Sequence, residues 1–419
     1  MGTQTRIPLL ILVCAGLTSL CASAQRQGQI LERRAAQPTA AEESNADQTI
    51  QGPVLGFVYG GDYSELRPAL GTPRAPSFGA RSELRPILGI PGASVLGAPV
   101  VVPSGVTGVY LAPSQNYALL AQSTAGFIGL MTFQGGVEGS LTAICGALSQ
   151  PDIVSFSPSG NTAALYSKTE GRLQLITGLP DSPELARDIP RNDLPDDVGF
   201  LAVADDGVTL LEGTVHSALY LLPEGGTPRF LHSAEDLGGM VFAPGASDVV
   251  VYDRGTGTAF LLHEVNLSSS YEPLAKGLTG LSGNVFLQVN RGSAILGSAN
   301  TNSLWQIDLQ SLQVQNIHLP GLPLTLQPLR TSGDYLLFYQ PGLPAWILDS
   351  NGEAGVVSLV PASTTAVGRP EPVPVSASGG LLADANEQPD LVSRPSFGSG
   401  CASAGRLPGR PGPLTPPRY

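Results

Sequence analysis

Short apolar runs of three to seven residues recur along the chain, separated by turns rich in Gly, Pro, Ser, Asp and Asn. No stretch of useful length carries a 3.6-residue apolar period, so the pattern predicts strands joined by tight turns. Six times, one apolar run meets a second across a turn: residues 109–112 and 117–120, 154–157 and 163–166, 200–204 and 208–211, 240–243 and 249–252, 285–289 and 294–296, and 326–329 and 335–339. A third run follows each pair, at 127–133, 173–176, 218–222, 259–263, 303–308 and 345–349. A fourth and weaker one usually closes the unit, as at 314–319 and 356–360. Aligning residues 128, 174, 219, 260, 305 and 346 gives steps of 46, 45, 41, 45 and 41.

Four short antiparallel strands every 41–46 residues describe a propeller blade. A lone four-stranded sheet has two apolar faces and can bury neither, whereas stacking blades around an axis buries both. The expected fold is therefore all-β: a β-propeller of seven four-stranded blades, with six as the alternative. Six copies are clear, and the ends of the chain are placed to close a seventh. Residues 82–89 and 93–96 supply two candidate strands near the front, and residues 373–383 echo the strand–turn–strand of the second copy. The first strand of each repeat is expected to be the most apolar and to lie beside the central channel.

Composition narrows the class. With 51 Gly and 37 Pro in 419 residues, a long-helix protein is excluded. A net charge of −12 and only two lysines, Lys168 and Lys276, argue against nucleic acid as partner. The N-terminus reads as a secretory signal over residues 1–24: Arg6, an apolar core from Leu9 to Leu17, and Ala22-Ser23-Ala24 as cleavage site. The apolar core is too short to span a bilayer. The mature chain is expected to be exported, periplasmic or extracellular, and monomeric. Residues 25–50 read as a flexible leader, 51–395 as the propeller, and 396–419 as a Pro-rich tail. Cys14 and Cys21 leave with the signal, so Cys145 and Cys401 remain for one possible disulfide, with a buried thiol and a loose one as the alternative.

The segment Val154-Ser155-Phe156-Ser157-Pro158-Ser159-Gly160, followed by Ala163-Ala164-Leu165-Tyr166, resembles the repeat of TolB-type and related WD-like bacterial propellers. In that family a blade opens with an apolar strand, Ser-Pro-Asp-Gly, and a second apolar strand. Ser159 stands where the acidic residue would be, while Asp205-Asp206-Gly207 keeps it one blade later. The resemblance implies a propeller and leaves activity open, because propellers serve as scaffolds, binding proteins and hydrolases.

Chemistry is sparse. His216, His232, His263 and His318 form no ligand-spaced pair, and no Gly-x-Ser-x-Gly elbow or P-loop is present. Asp205 and Asp206 are the candidate oxygen ligands for Ca²⁺, against the simpler reading of Asp-Gly as turn chemistry. Trp305 and Trp346 share an offset in successive repeats and are expected to pack between blades. Three function classes follow. The first is an exported non-enzymatic propeller that binds a protein or envelope partner through its loop faces. The others are a lactonase-like hydrolase with a channel metal and an extracellular structural or adhesive protein.

Overall fold

The computed structural model describes residues 53–60 and 83–361, apart from 104, 123–125, 135–136, 208, 268 and 352–354. Among these, 27 strands form seven antiparallel sheets. Blade 1 holds β1 (Val54–Gly60), β2 (Glu83–Ile90) and β3 (Ala93–Leu96). Blade 2 holds β4 (Val106–Leu111), β5 (Tyr117–Gln122), β6 (Ile128–Gln134) and β7 (Val137–Ile144). Blade 3 holds β8 (Ile153–Phe156), β9 (Ala163–Ser167), β10 (Arg172–Thr177) and β11 (Glu184–Pro190). Blade 4 holds β12 (Val198–Val203), β13 (Leu210–Thr214), β14 (Ala218–Leu221) and β15 (Arg229–Ser233). Blade 5 holds β16 (Leu237–Phe242), β17 (Val249–Asp253), β18 (Thr258–His263) and β19 (Ser270–Ala275). Blade 6 holds β20 (Val285–Val289), β21 (Ser293–Ser298), β22 (Ser303–Asp308) and β23 (Val314–His318). Blade 7 holds β24 (Gln327–Pro328), β25 (Asp334–Phe338), β26 (Ala345–Asp349) and β27 (Val356–Val360).

Seven apolar clusters join these blades into a ring, one per interface. Leu165 and Ile176 of blade 3 pack on Leu119 and Ile144 of blade 2, while Tyr166 and Leu175 pack on Val203 and Leu210 of blade 4. Leu211 faces blade 5, Val250 faces blade 6, and Ile295 faces blade 7. The last cluster seats Leu55, Val58 and Ile87 of blade 1 on Leu336 and Ile347 of blade 7, and another seats Phe57 and Leu84 on Leu120 and Met131 of blade 2. The two-residue period of a strand explains the division, since successive side chains point to opposite neighbours. This is a seven-bladed propeller. Six blades have four strands and blade 1 has three among the described residues. Residues 82–89 and 93–96 are largely the expected strands β2 and β3, and residues 373–383 lie outside the described residues, as do 25–50 and 396–419.

Central position and burial do not coincide. The innermost first strands do contact one another around the centre, β8 with β12, β12 with β16, and β16 with β20. The strands buried along their whole length are instead the second ones, β5, β9, β13, β17 and β21. The first strands β8 and β20 are largely half-buried, while β12 and β16 are buried over most of their length. A second strand is covered by neighbours on both faces and both edges.

The ring closes through Gln115. It occupies the turn between β4 and β5 with φ of 49°, where blades 3, 4, 5 and 7 place Gly160, Gly207, Gly245 and Gly333 in the same left-handed region. Its fully buried side chain accepts the Phe57 N–H at Oε1 (2.5 Å) and donates from Nε2 to the Pro328 carbonyl (2.6 Å). The Arg330 N–H donates to Leu55 C=O (3.0 Å), and Arg330 Nε donates to Gln115 C=O (3.1 Å). Turns of blades 2 and 7 thus meet along the edge of β1 that faces away from β2. Gly56 makes room, because a Cβ there would lie 2.5 Å from Gln115 Oε1. Gln115→Gly suits the backbone yet strands two buried polar groups of β1 and β24, each costing about 1–3 kcal/mol. The expected result is a loss of stability of roughly 2–4 kcal/mol in urea unfolding, despite relief of the left-handed Gln. No loss would mean that the ring closes without this amide.

Candidate functional site

Asp205 and Asp206 sit in the turn between β12 and β13. Asp205 accepts N–H groups from Ser159 of blade 3 (2.7 Å) and Gly245 of blade 5 (3.2 Å), tying the equivalent turns of three successive blades together. Burial alone would raise the Asp205 carboxyl, but these bonds, with Ser157, more than offset it and hold it below the usual carboxylate range. Asp206 caps its own turn through the Thr209 N–H (2.8 Å) and hydroxyl. A Ca²⁺ at this place would have to displace those bonds. Among the described residues no group of three or more His, Cys, Asp or Glu side chains is gathered as metal ligands. Cys145 is disulfide-bonded, and Cys401 lies outside the described residues.

The histidines are dispersed. His216 is exposed, 3.6 Å from Asp196, and His318 lies beside Asn302. His263 bridges Glu272 (Nε2, 2.7 Å) and Asp248 (Nδ1, 3.2 Å), and the hydrogen bond to Glu272 chiefly raises its pKa. His232 differs, because burial lowers its pKa against the opposing charge of Asp253. It stacks on Tyr271 at 5.6 Å and meets Phe260 edge-on at 4.8 Å. Trp305 and Trp346 do pack between blades, and Trp346 stacks on Phe338 at 4.8 Å.

Two recesses flank the outer edge of blade 4. Toward blade 5, His232, Phe260 and Tyr271 line a cavity of about 540 Å³ with Glu235, Asp253 and Lys276. Toward blade 3, β11 and the β14–β15 turn bound a groove of about 890 Å³ lined by Tyr220, Pro195, Pro223, Pro228, Asp193 and Glu224. Its walls are fixed: the Arg187 guanidinium donates to the Leu222 and Pro223 carbonyls at 3.0 Å each. Arg229 likewise fastens blade 4 to blade 5 through the Leu267 (2.6 Å) and Val265 carbonyls. Between the recesses Phe230 stands 55% exposed against Tyr220, and Tyr271 is 48% exposed. Val215 in the β13–β14 turn and Leu267 in the β18–β19 turn are also exposed. Sequence reading overlooked this rim because the fourth strands are its weakest signal. The available clue was aromatic Phe230 and Tyr271 on strands that otherwise read as polar edges.

Behind the groove lies Glu212 of β13, fully buried between blades 3 and 4 near Arg191, Asp196 and Asp197. Burial pushes its carboxyl up to about 8, with Arg191 opposing, so at neutral pH it is mostly protonated. Because the folded-state pKa exceeds the unfolded value, its cost to stability is absent below about pH 4.5, grows as pH rises toward 8, and is constant beyond. Glu212→Gln should leave stability unchanged at pH 4. Above pH 8 it should raise stability by several kcal/mol, on the order of 3–5. Thermal unfolding across pH 4–9 reads this difference, and a variant gain that stays flat with pH would refute it.

No protein-family model and no curated protein matches the chain. Similar solved structures include one described as U3-55K, 12% identical over 60% of this chain and 80% of that one, with a TM-score of 0.42. Another is hydrazine synthase of Kuenenia stuttgartiensis, 13% identical over 73% of this chain and the whole of that one, also at 0.42.

Proposed function

We propose that this protein is an exported, non-enzymatic binding module whose protein or envelope-polymer partner docks on the outer rim of blades 3–5. A propeller fold fits a rigid scaffold of this kind, and no helix among the described residues is long and apolar enough to cross a membrane. The observation that carries the reading is the exposure of Phe230 and Tyr271, on the fourth strands of blades 4 and 5, beside two recesses. Among the described residues these are the two aromatic side chains that stand out to solvent. Aromatic anchors beside preformed recesses, ringed by polar groups, are what recognition surfaces are built from. The net charge of −12 favours a cationic partner.

The test compares two full-length double variants. Phe230→Ala with Tyr271→Ala should reduce retention of envelope protein or cell-wall polymer on immobilised protein by tenfold or more, with an unchanged melting temperature. Leu312→Ala with Leu322→Ala, exposed on blade 6 and in the loop that follows it, should retain wild-type binding. Equal retention by both variants would remove the rim from the proposal.

A further inference from the structure

We propose that the cavity of about 540 Å³ between blades 4 and 5 is a saccharide site, built to hold neutral pyranose units. The inference rests on the reading of this rim as a recognition surface, and names the chemistry of the polymer it meets.

Two facing sheets supply the walls. In blade 5, Asp253 stands across from Thr258, and Leu262 across from Tyr271. Leu262 and Phe260 pack on blade 4, so the two-residue strand period puts Asp253, Thr258 and Tyr271 on that same face. In blade 4, His232 stands across from Leu219, which belongs to the same apolar cluster. The imidazole therefore points at blade 5, where it meets Phe260 and Tyr271. Phe260 in turn supports the Tyr271 ring at 4.8 Å. Tyr271 is thus braced from within while half of its surface remains open.

The floor is rigid. The Asp253 carboxylate accepts N–H groups from Glu235 (3.2 Å), Asp236 (3.0 Å) and Gly255 (3.0 Å), and the Thr256 hydroxyl (3.0 Å). Burial would raise this carboxyl, but the four bonds more than offset it and hold it below the usual carboxylate range. Arg254 clamps the adjoining Asp236 through Nε (2.6 Å) and a second guanidinium nitrogen (2.7 Å).

Around this floor the side chains of His232, Ser233, Glu235, Thr258 and Lys276 make no hydrogen bond or ion pair among the described residues. Donors and acceptors are thereby gathered, unspent, at the edge of an exposed aromatic ring. A pyranose presents the complement: an apolar C–H face for the electron-rich ring face, and a rim of hydroxyls that both donate and accept. Charge selects among sugars. A uronate would meet the carboxylates of Glu235 and Asp253, and an amino sugar would meet the Lys276 ammonium, whereas a neutral unit can bond to both. The volume falls within the range of about 300–1,000 Å³ typical of small-ligand sites.

The test is ligand-detected saturation-transfer NMR, with titration, of the full chain against chitotriose, cellotriose and mannotriose. At least one trisaccharide should receive saturation from the aromatic protons. Tyr271→Phe should bind it within threefold of wild type, and Tyr271→Ala at least tenfold more weakly. Thr258→Val and Lys276→Met should each weaken it threefold or more at an unchanged melting temperature, while Leu312→Ala with Leu322→Ala should not. Saturation of none of the three sugars, binding of adenosine in their place, or wild-type affinity in Tyr271→Ala and Lys276→Met would overturn the proposal. Envelope material retained by the wild-type rim and not displaced by the bound trisaccharide would also overturn it, and would leave the Phe230 and Tyr271 reading standing.

Discussion

Closing a ring of sheets is the constraint on which this molecule depends. Six of seven interfaces bring together blades adjacent in sequence, so each forms with a short loop and little entropy loss. The seventh must join residue 55 to residue 330, with nearly the whole propeller between them. The buried Gln115 amide sits at that junction, bonding β1 on one side and β24 on the other. A left-handed Gln is held where four other blades use glycine, and a glycine at 56 lets its side chain approach. Local conformational cost is accepted there in exchange for satisfied backbone at an otherwise open sheet edge.

Given a closed ring, the surfaces divide by strand position. First strands face the centre, second strands vanish into the inter-blade clusters, and fourth strands form the outer rim. Polar side chains follow the same logic. Asp205 and Arg229 fasten blade to blade through backbone groups, so Asp205, a candidate ligand in sequence, serves as a strut. The rim of blades 3–5 is where side chains remain available, and it is also where Arg187 and Arg229 hold the recess walls in place.

Within this frame Glu212 is an exception to the usual pairing of buried charge. Its carboxyl is buried between blades 3 and 4 near Arg191, Asp196 and Asp197, and burial keeps it mostly protonated near neutrality. Such a group lowers stability as pH rises, while a similarly buried Asp334, pushed up to about 6 by burial and by Asp349, acts in the same direction over a lower range. The acidic propeller is therefore expected to be best preserved in mildly acidic surroundings.

Much of the architecture was legible from the chain. The 41–46-residue spacing located all six clear blades, because strand period and turn chemistry are local properties that repeat whenever the same unit must stack. Third strands fall at the aligned positions, and the Asp-Gly and Pro-Ser turns occur where the repeat placed them. What the sequence could not reveal was anything made between distant segments. β1 carries no repeat signal, and Gln115 is distinguished only by standing where four other blades carry glycine. Phe230 and Tyr271 stand on fourth strands and Tyr220 on a third strand, and only packing set them around two recesses. Local hydrophobic pattern decides which residues become strands, but only closure of the ring decides which of their faces remain exposed to meet a partner.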